Sequence, residues 1–340
     1  MKMIFNKKGD HNMDGINDVV QGRNHDDNSE LSELLTQLEI RQVKRKQQML
    51  DKVKRITSLE EANDLFDSAP SEVQEILFQR IISGQISGDA DDYHNASICF
   101  SKLLQYNKAA DICRKGIELW PNDIDLNADL LSYLIDTGNI EDANKQAEQL
   151  ELNCPDRSKW NWRGFRFLFK YLMNAHPNGY EKKTEDLVED YKKVLPWDEK
   201  AYRCAADLYE SKGEINRAIS VLEDGISKLS APQCALHLAD LYFERANYDD
   251  AIRVSTLGIA FAAEPQPSIR TAYLLFLRAL SKDARYLKSG KISPEEGKAI
   301  ISEYELAMKY GTPREKEVIK QRIDILRVYS GDSLPAPSDS

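Results

Sequence analysis

Helix-ending residues recur along this chain at an interval of 34 residues, and that interval constrains the fold more than any other feature. Residues 91–121 read DDYHNASICFSKLLQYNKAADICRKGIELWP. Tyr93, Ala96, Ser97 and Phe100 fall on one face of a first helix, a break is expected near Asn107, and Ala109, Cys113 and Gly116 mark a second helix that Pro121 ends. Pro155 lies 34 positions further on, and Leu130, Leu131, Leu134, Gly138, Ala143 and Ala147 occupy the equivalent places between. Further breaks are expected near Gly138, Gly213 and Asn247. No run alternates as a strand would.

The clearest repeats are 199–232, with Tyr202, Ala205, Ala206, Tyr209, Gly213, Ala218, Leu222 and Gly225, and the one after it, with Leu238, Ala239, Tyr242, Tyr248, Ala251 and Gly258. This order of large, small and aromatic residues resembles the tetratricopeptide repeat (TPR). The resemblance implies an all-α, right-handed α-solenoid of helix pairs over residues 90–310. Small residues at Ala109, Ala143, Ala218 and Ala251 let the two helices of a pair approach, and Gly116, Gly225 and Gly258 let a pair approach the next. A bulky residue at Ala218 is expected to overpack that contact. The remaining chain divides into a tail (1–28), a basic amphipathic helix (29–56), an irregular helical pair (57–89) opened by a capping box at Ser58 and Glu61, a capping helix (311–330) and a second tail (331–340). The unit from Pro155 to Pro196 is seven residues longer than the repeat, through longer helices or a longer turn at 176–183.

Two segments stand out chemically. Residues 157–175, RSKWNWRGFRFLFKYLMNA, hold six aromatic residues, five cations and no acid in a chain of net charge −10. On one continuous helix, Lys159, Arg163, Arg166 and Lys170 form a stripe with Trp162 and Phe169 beside it, while Phe165, Leu168 and Leu172 face the core. In the family's arrangement the stripe faces the concave side. Two readings follow: these residues form a groove for an acidic peptide or carboxylate, or the cations pair internally with Asp129, Asp136, Asp207 or Glu210. On the first reading, reversing Arg163 and Arg166 to Glu abolishes binding and leaves stability unchanged.

The other segment is RQVKRKQQMLDKVKR, residues 41–55, where Arg41, Lys44, Arg45, Lys46, Lys52, Lys54 and Arg55 face a single acid. It continues an apolar start at Leu31, Leu34, Leu35 and Leu38. It reads as a solvated helix packed on the first repeat, as a docking or coiled-coil helix for another chain, or as a contact for nucleic acid or anionic lipid.

No enzyme signature accompanies these features. The string GDSL at 331–334 sits in a Pro/Ser tail without the strand or base that an esterase needs. His94, His176 and His237 lie far apart in sequence and read as surface or packing residues rather than metal ligands. The five cysteines are odd in number and lack redox or metal spacing, which fits a reducing compartment, and no run is long enough for a leader or a membrane span. The expectation is a cytoplasmic, non-enzymatic adaptor without cofactor, binding a peptide or helix of one or more partner proteins; the alternative is a nucleic-acid- or polyanion-binding protein using the basic helix. The TPR carboxylate clamp is not assembled, because His94 and Ile98 stand where the resemblance implies Lys and Asn.

Overall fold

The computed structural model describes residues 25–66, 68–175, 181–262, 268–290, 293–311 and 313–329. The two tails, apart from the first helix's start at His25, and most of the turn at 176–183 lie outside the described residues. The described residues form sixteen α-helices and no strand beyond an isolated bridge between Ser58 and Ser87. The chain makes two compact units, Met1–Cys99 and Phe100–Ser340.

The first unit holds α1 (His25–Val53), α2 (Leu59–Phe66), α3 (Ser71–Ile82) and most of α4 (Ala90–Lys102). The Ser58 hydroxyl accepts from the Glu61 amide, half of the expected capping box, and starts α2. The C-terminal part of α1 is anchored on α3, where Lys46 also pairs with Glu72. Val53 and Ile56 are buried, and the Arg80 guanidinium of α3 donates to both of their carbonyls. Earlier in α1, Leu34, Leu35, Leu38, Ile40 and Val43 are all exposed. Among the described side chains this apolar stretch therefore faces solvent.

The second unit continues through α5 (Tyr106–Leu119), α6 (Ile124–Asp136), α7 (Ile140–Asn153), α8 (Trp162–Ala175), α9 (Glu181–Val194), α10 (Glu199–Ser211), α11 (Ile215–Leu229), α12 (Pro232–Glu244), α13 (Tyr248–Phe261), α14 (Ile269–Ser289), α15 (Pro294–Tyr310) and α16 (Pro313–Tyr329). Consecutive helices pack as pairs, and the first helices of successive pairs also touch, α6 with α8, α8 with α10, α10 with α12 and α12 with α14. Such contact leaves each pair's second apolar face covered by the next pair, an α-solenoid of TPR-like units. The small residues act as the resemblance implies. A Cβ on Gly225 would meet Cys234 and Tyr202 at 3.0 Å, and one on Gly258 would meet Ala235 at 2.9 Å and Leu274 at 3.0 Å. The stack ends on α16, whose Ile319, Ile323 and Leu326 complete a core with Ile300 and Tyr304 of α15. Arg322 of α16 pins it further by binding the buried Asp283 of α14 at 2.6 Å.

The lengthened unit keeps ordinary helices of 14 residues each. Its extra length lies in the connections. Residues 154–161 lead into α8 through a 3-10 turn at Arg157–Lys159, where four residues join α5 to α6 and α9 to α10. The single helix expected from Lys159 is thus broken: Lys159 sits in that turn, and Trp160 is buried before α8 begins, its indole donating to the Cys154 carbonyl at 2.8 Å.

One turn geometry recurs inside the pairs. Leu104, Gly138, Gly213 and Ala246 all adopt positive φ (60°, 74°, 73° and 56°). The amide after each reaches five residues back, Gln105 to Phe100, Asn139 to Leu134, Glu214 to Tyr209 and Asn247 to Tyr242, at 2.8–3.0 Å. This left-handed cap closes α4, α6, α10 and α12. It places the first break at Leu104 rather than Asn107, which lies within α5, because an alkyl side chain holds a position where glycine is easier. A left-handed Cβ costs roughly 1–2 kcal/mol. Ala246→Gly is therefore expected to raise unfolding stability by about 1 kcal/mol, as urea denaturation would measure.

Candidate functional site

The first helices of the pairs in the second unit, α6, α8, α10, α12 and α14, share one face, and residues about one repeat apart meet across it. Arg163 of α8 binds Asp129 Oδ1 of α6 at 3.2 Å through Nη1 and Asp125 Oδ1 at 3.3 Å through Nε. Lys170 of α8 binds Asp136 Oδ1 at 2.6 Å, and Asn161, just before α8, donates to Asp125 at 2.9 Å. Both Arg163–Asp129 and Lys170–Asp136 are separated by 34 residues. These contacts are the internal pairing that was the second sequence reading of the stripe. Asp129 is 2% exposed, so Arg163 compensates a charge that water cannot reach.

The other expected groove residues divide. Phe169 is buried and offers no surface, and Lys159 pairs with Asp156 at 3.4 Å in the turn before α8. Phe165, Leu168 and Leu172 face the core as expected, Phe165 stacking on Tyr191 at 4.8 Å. Trp162 remains half-buried at the surface with cations around it. The Arg163 and Arg166 guanidinium carbons lie 4.7 and 5.9 Å from its ring centroid, and Lys200 Nζ of α10 lies 3.6 Å from it. Arg166 is exposed, and among the described residues neither Arg166 nor Lys200 forms an ion pair. Sequence reading missed Lys200 because it belongs to the next repeat; the signal is its place on the neighbouring first helix, 38 residues after Trp162.

Further along the same face the character changes. His237 of α12 approaches Glu210 and Asp207 of α10, and the Asp240 carboxylate accepts from Tyr273 of α14 at 3.2 Å. Burial works against a charged His237, but the carboxylates of Glu210 and Asp207 outweigh it and raise its pKa. Asp240 is pushed up to about 6, chiefly by burial; the Tyr273 hydroxyl and His237 oppose the shift, and Glu244 and Glu210 reinforce it.

The basic residues of α1 belong to the first unit. Arg41, Lys44, Arg45, Lys52, Lys54 and Arg55 are exposed, Lys46 pairs with Glu72 at 2.5 Å and Lys54 with Asp51 at 3.6 Å. Cys113, Cys154, Cys204 and Cys234 are buried thiols, with burial pushing Cys154 up to about 11 and Cys204 and Cys234 to about 12. No helix among the described residues is long and apolar enough to cross a membrane.

Two stability effects follow. Arg163→Ala strands the buried Asp129 charge and is expected to cost about 3 kcal/mol, measured by urea denaturation, with Asp129→Asn in the same chain restoring part of the loss. On the same ground, reversing Arg163 together with Arg166 is expected to lower the melting temperature. Asp240 holds its proton in the folded state to higher pH than in the unfolded chain, whose carboxyl titrates near the ordinary 3.8. Its contribution to stability therefore falls as pH rises between about 4 and 6 and stays unfavourable above. Asp240→Asn, which keeps a partner for Tyr273, is expected to gain about 1–3 kcal/mol at pH 7 and to flatten that part of the stability–pH curve.

No protein-family model and no curated protein matches the chain. Solved structures similar to it include TTC0263, a thermophilic TPR protein of Thermus thermophilus, at 17% identity and TM-score 0.43, covering 58% of this chain and 98% of that one. A tetratricopeptide repeat protein from Parabacteroides merdae is 15% identical with TM-score 0.49, covering 82% of this chain and 99% of its own. The Cut9–Hcn1 hetero-tetramer of the APC/C gives 13% identity and TM-score 0.45 over 76% of this chain and 47% of that one. The TPR resemblance read in the sequence stands on this chain's own features: helix pairs in a 34-residue register, left-handed caps inside the pairs and glycine-mediated contact between them.

Proposed function

We propose that the chain is a non-catalytic adaptor that captures an acidic segment of a partner protein on the first-helix face, read by Trp162, Arg166 and Lys200. The observation that carries this reading is the pairing pattern. Arg163 and Lys170 are engaged by α6 carboxylates, whereas Arg166 and Lys200 flank the half-buried Trp162 ring without an ion pair among the described residues. An aromatic ring with cations beside it offers a partner both apolar area and charge-assisted hydrogen bonds to a carboxylate. The site residues expected from sequence thus contract to Trp162 and Arg166, with Lys200 added and Arg163 holding the helix in place.

The exposed cations and apolar residues of α1 serve as a second docking element in this reading. Polyanion binding through α1 is the competing use of the same cations.

Fluorescence anisotropy with a labelled Glu-rich peptide and a Lys-rich control tests the main site. The Glu-rich peptide is expected to bind, more weakly as salt rises, and Arg166→Glu with Lys200→Glu is expected to abolish binding while the melting temperature holds. Equal binding of both peptides, or binding that survives the double substitution, removes the reading.

A further inference from the structure

From Leu34 to Arg45, about three turns of α1, every residue is exposed. Leu34, Leu35, Leu38, Ile40 and Val43 are the large apolar side chains among them. A helix of a soluble protein ordinarily turns such residues toward a core, so a set this dense in solvent marks a surface that another element covers. Leu34, Leu35 and Leu38 share one stripe at three- and four-residue spacing, and Gln42 and Arg45 continue it toward the end of the helix.

Charge is segregated along the same helix. Before Ile40 its sequence carries Asp26, Asp27, Glu30, Glu33 and Glu39 and no lysine or arginine. After Ile40 it carries Arg41, Lys44, Arg45, Lys46 and Lys52 against Asp51 alone. Of these cations Lys46 pairs with Glu72 of α3, and the other four are exposed. An acidic half, a leucine stripe and a basic half therefore follow one another along α1.

This order selects the element that fits over the stripe. A second α1 laid parallel would set acid beside acid and base beside base. Laid antiparallel, it sets the acidic half of each helix beside the basic half of the other, with the leucines between. A two-fold axis beside Thr36 produces this match: Leu34 of one copy meets Leu38 of the other, and Arg41 and Arg45 stand opposite the acidic half. The replacement of leucine by Gln42 and Arg45 along the stripe then has a cause, because those positions face acids rather than an apolar seam.

We propose that α1 is a dimerisation helix covered by the α1 of a second copy of this chain, antiparallel across Leu34, Leu35 and Leu38 with acidic and basic halves matched. This names the occupant of the second docking element and rests on that part of the functional reading. It shares no residue with Trp162, Arg166 and Lys200, so its failure and the failure of the peptide site are separate events. A dimer carries two copies of the peptide site, which raises avidity for a partner with two acidic segments.

Sedimentation velocity of the full chain over a range of concentration tests the proposal. Wild type is expected to run as a dimer that dissociates on dilution, more readily at high salt. Leu35→Glu with Leu38→Glu, and separately Arg41→Glu with Arg45→Glu, are each expected to weaken the dimer at least about tenfold. All four side chains are exposed, so the melting temperature of the monomer is expected to hold. Adding Asp27→Arg and Glu30→Arg to the Arg41→Glu, Arg45→Glu chain exchanges the two halves and is expected to restore the dimer. A dimer that survives either pair of substitutions, or an exchanged chain that stays monomeric, overturns the antiparallel pairing. A wild type that is monomeric at every concentration also overturns it and leaves the cations of α1 to polyanion binding.

Discussion

Everything in the second unit depends on how near two helix backbones can come. A helix pair with apolar faces on both sides cannot bury them alone, and only the next pair supplies the missing cover. Gly258 is where that closeness is most visible, since a single added carbon would meet α12 on one side and α14 on the other. The same closeness is why Ala205, Ala206, Ala218, Ala235, Ala239 and Ala251 are all buried. Larger side chains at these positions would separate the helices and lose dispersion contacts along their full length.

Close stacking has an electrostatic consequence. It brings residues one repeat apart into hydrogen-bond range, so each first helix reads its neighbour. Asp129 with Arg163, Asp136 with Lys170, Asp240 with Tyr273 and Glu199 with the Gln233 amide are all separated by 33 or 34 residues. Charges that look clustered along the chain are partly cancelled across it. The strongly basic α8 therefore presents fewer available cations than its composition implies, and the face as a whole runs from a basic aromatic patch at Trp162 to an acidic stretch at Asp207, Glu210 and Asp240.

The two basic segments of the chain consequently differ in kind. In α8, Arg163 and Lys170 are paired with α6 carboxylates, and Arg163 compensates a buried one. In α1 most of the cations remain exposed, as do Ile40 and Val43, while Val53 at its end and Ile56 just beyond it are buried and held through Arg80. Composition alone does not separate these cases, because local charge counts carry no information about what stands opposite.

The repeat period, the helix pairing and the small residues at the close contacts were legible in the sequence, because each follows from helix geometry and the need to bury an apolar face. Internal pairing of the α8 stripe was one of two sequence readings, with Asp129, Asp136, Asp207 and Glu210 as candidates; Arg163 takes Asp129 and Lys170 takes Asp136. Other features depended on tertiary structure. The 3-10 turn at Arg157–Lys159 removed Lys159 from α8, and burial removed Phe169 from the surface. Lys200 joined Trp162, and His237 joined Asp207 and Glu210, from neighbouring repeats. A one-dimensional pattern specifies which face of a helix is apolar, but the distance between side chains on different helices is set only when the backbones have packed.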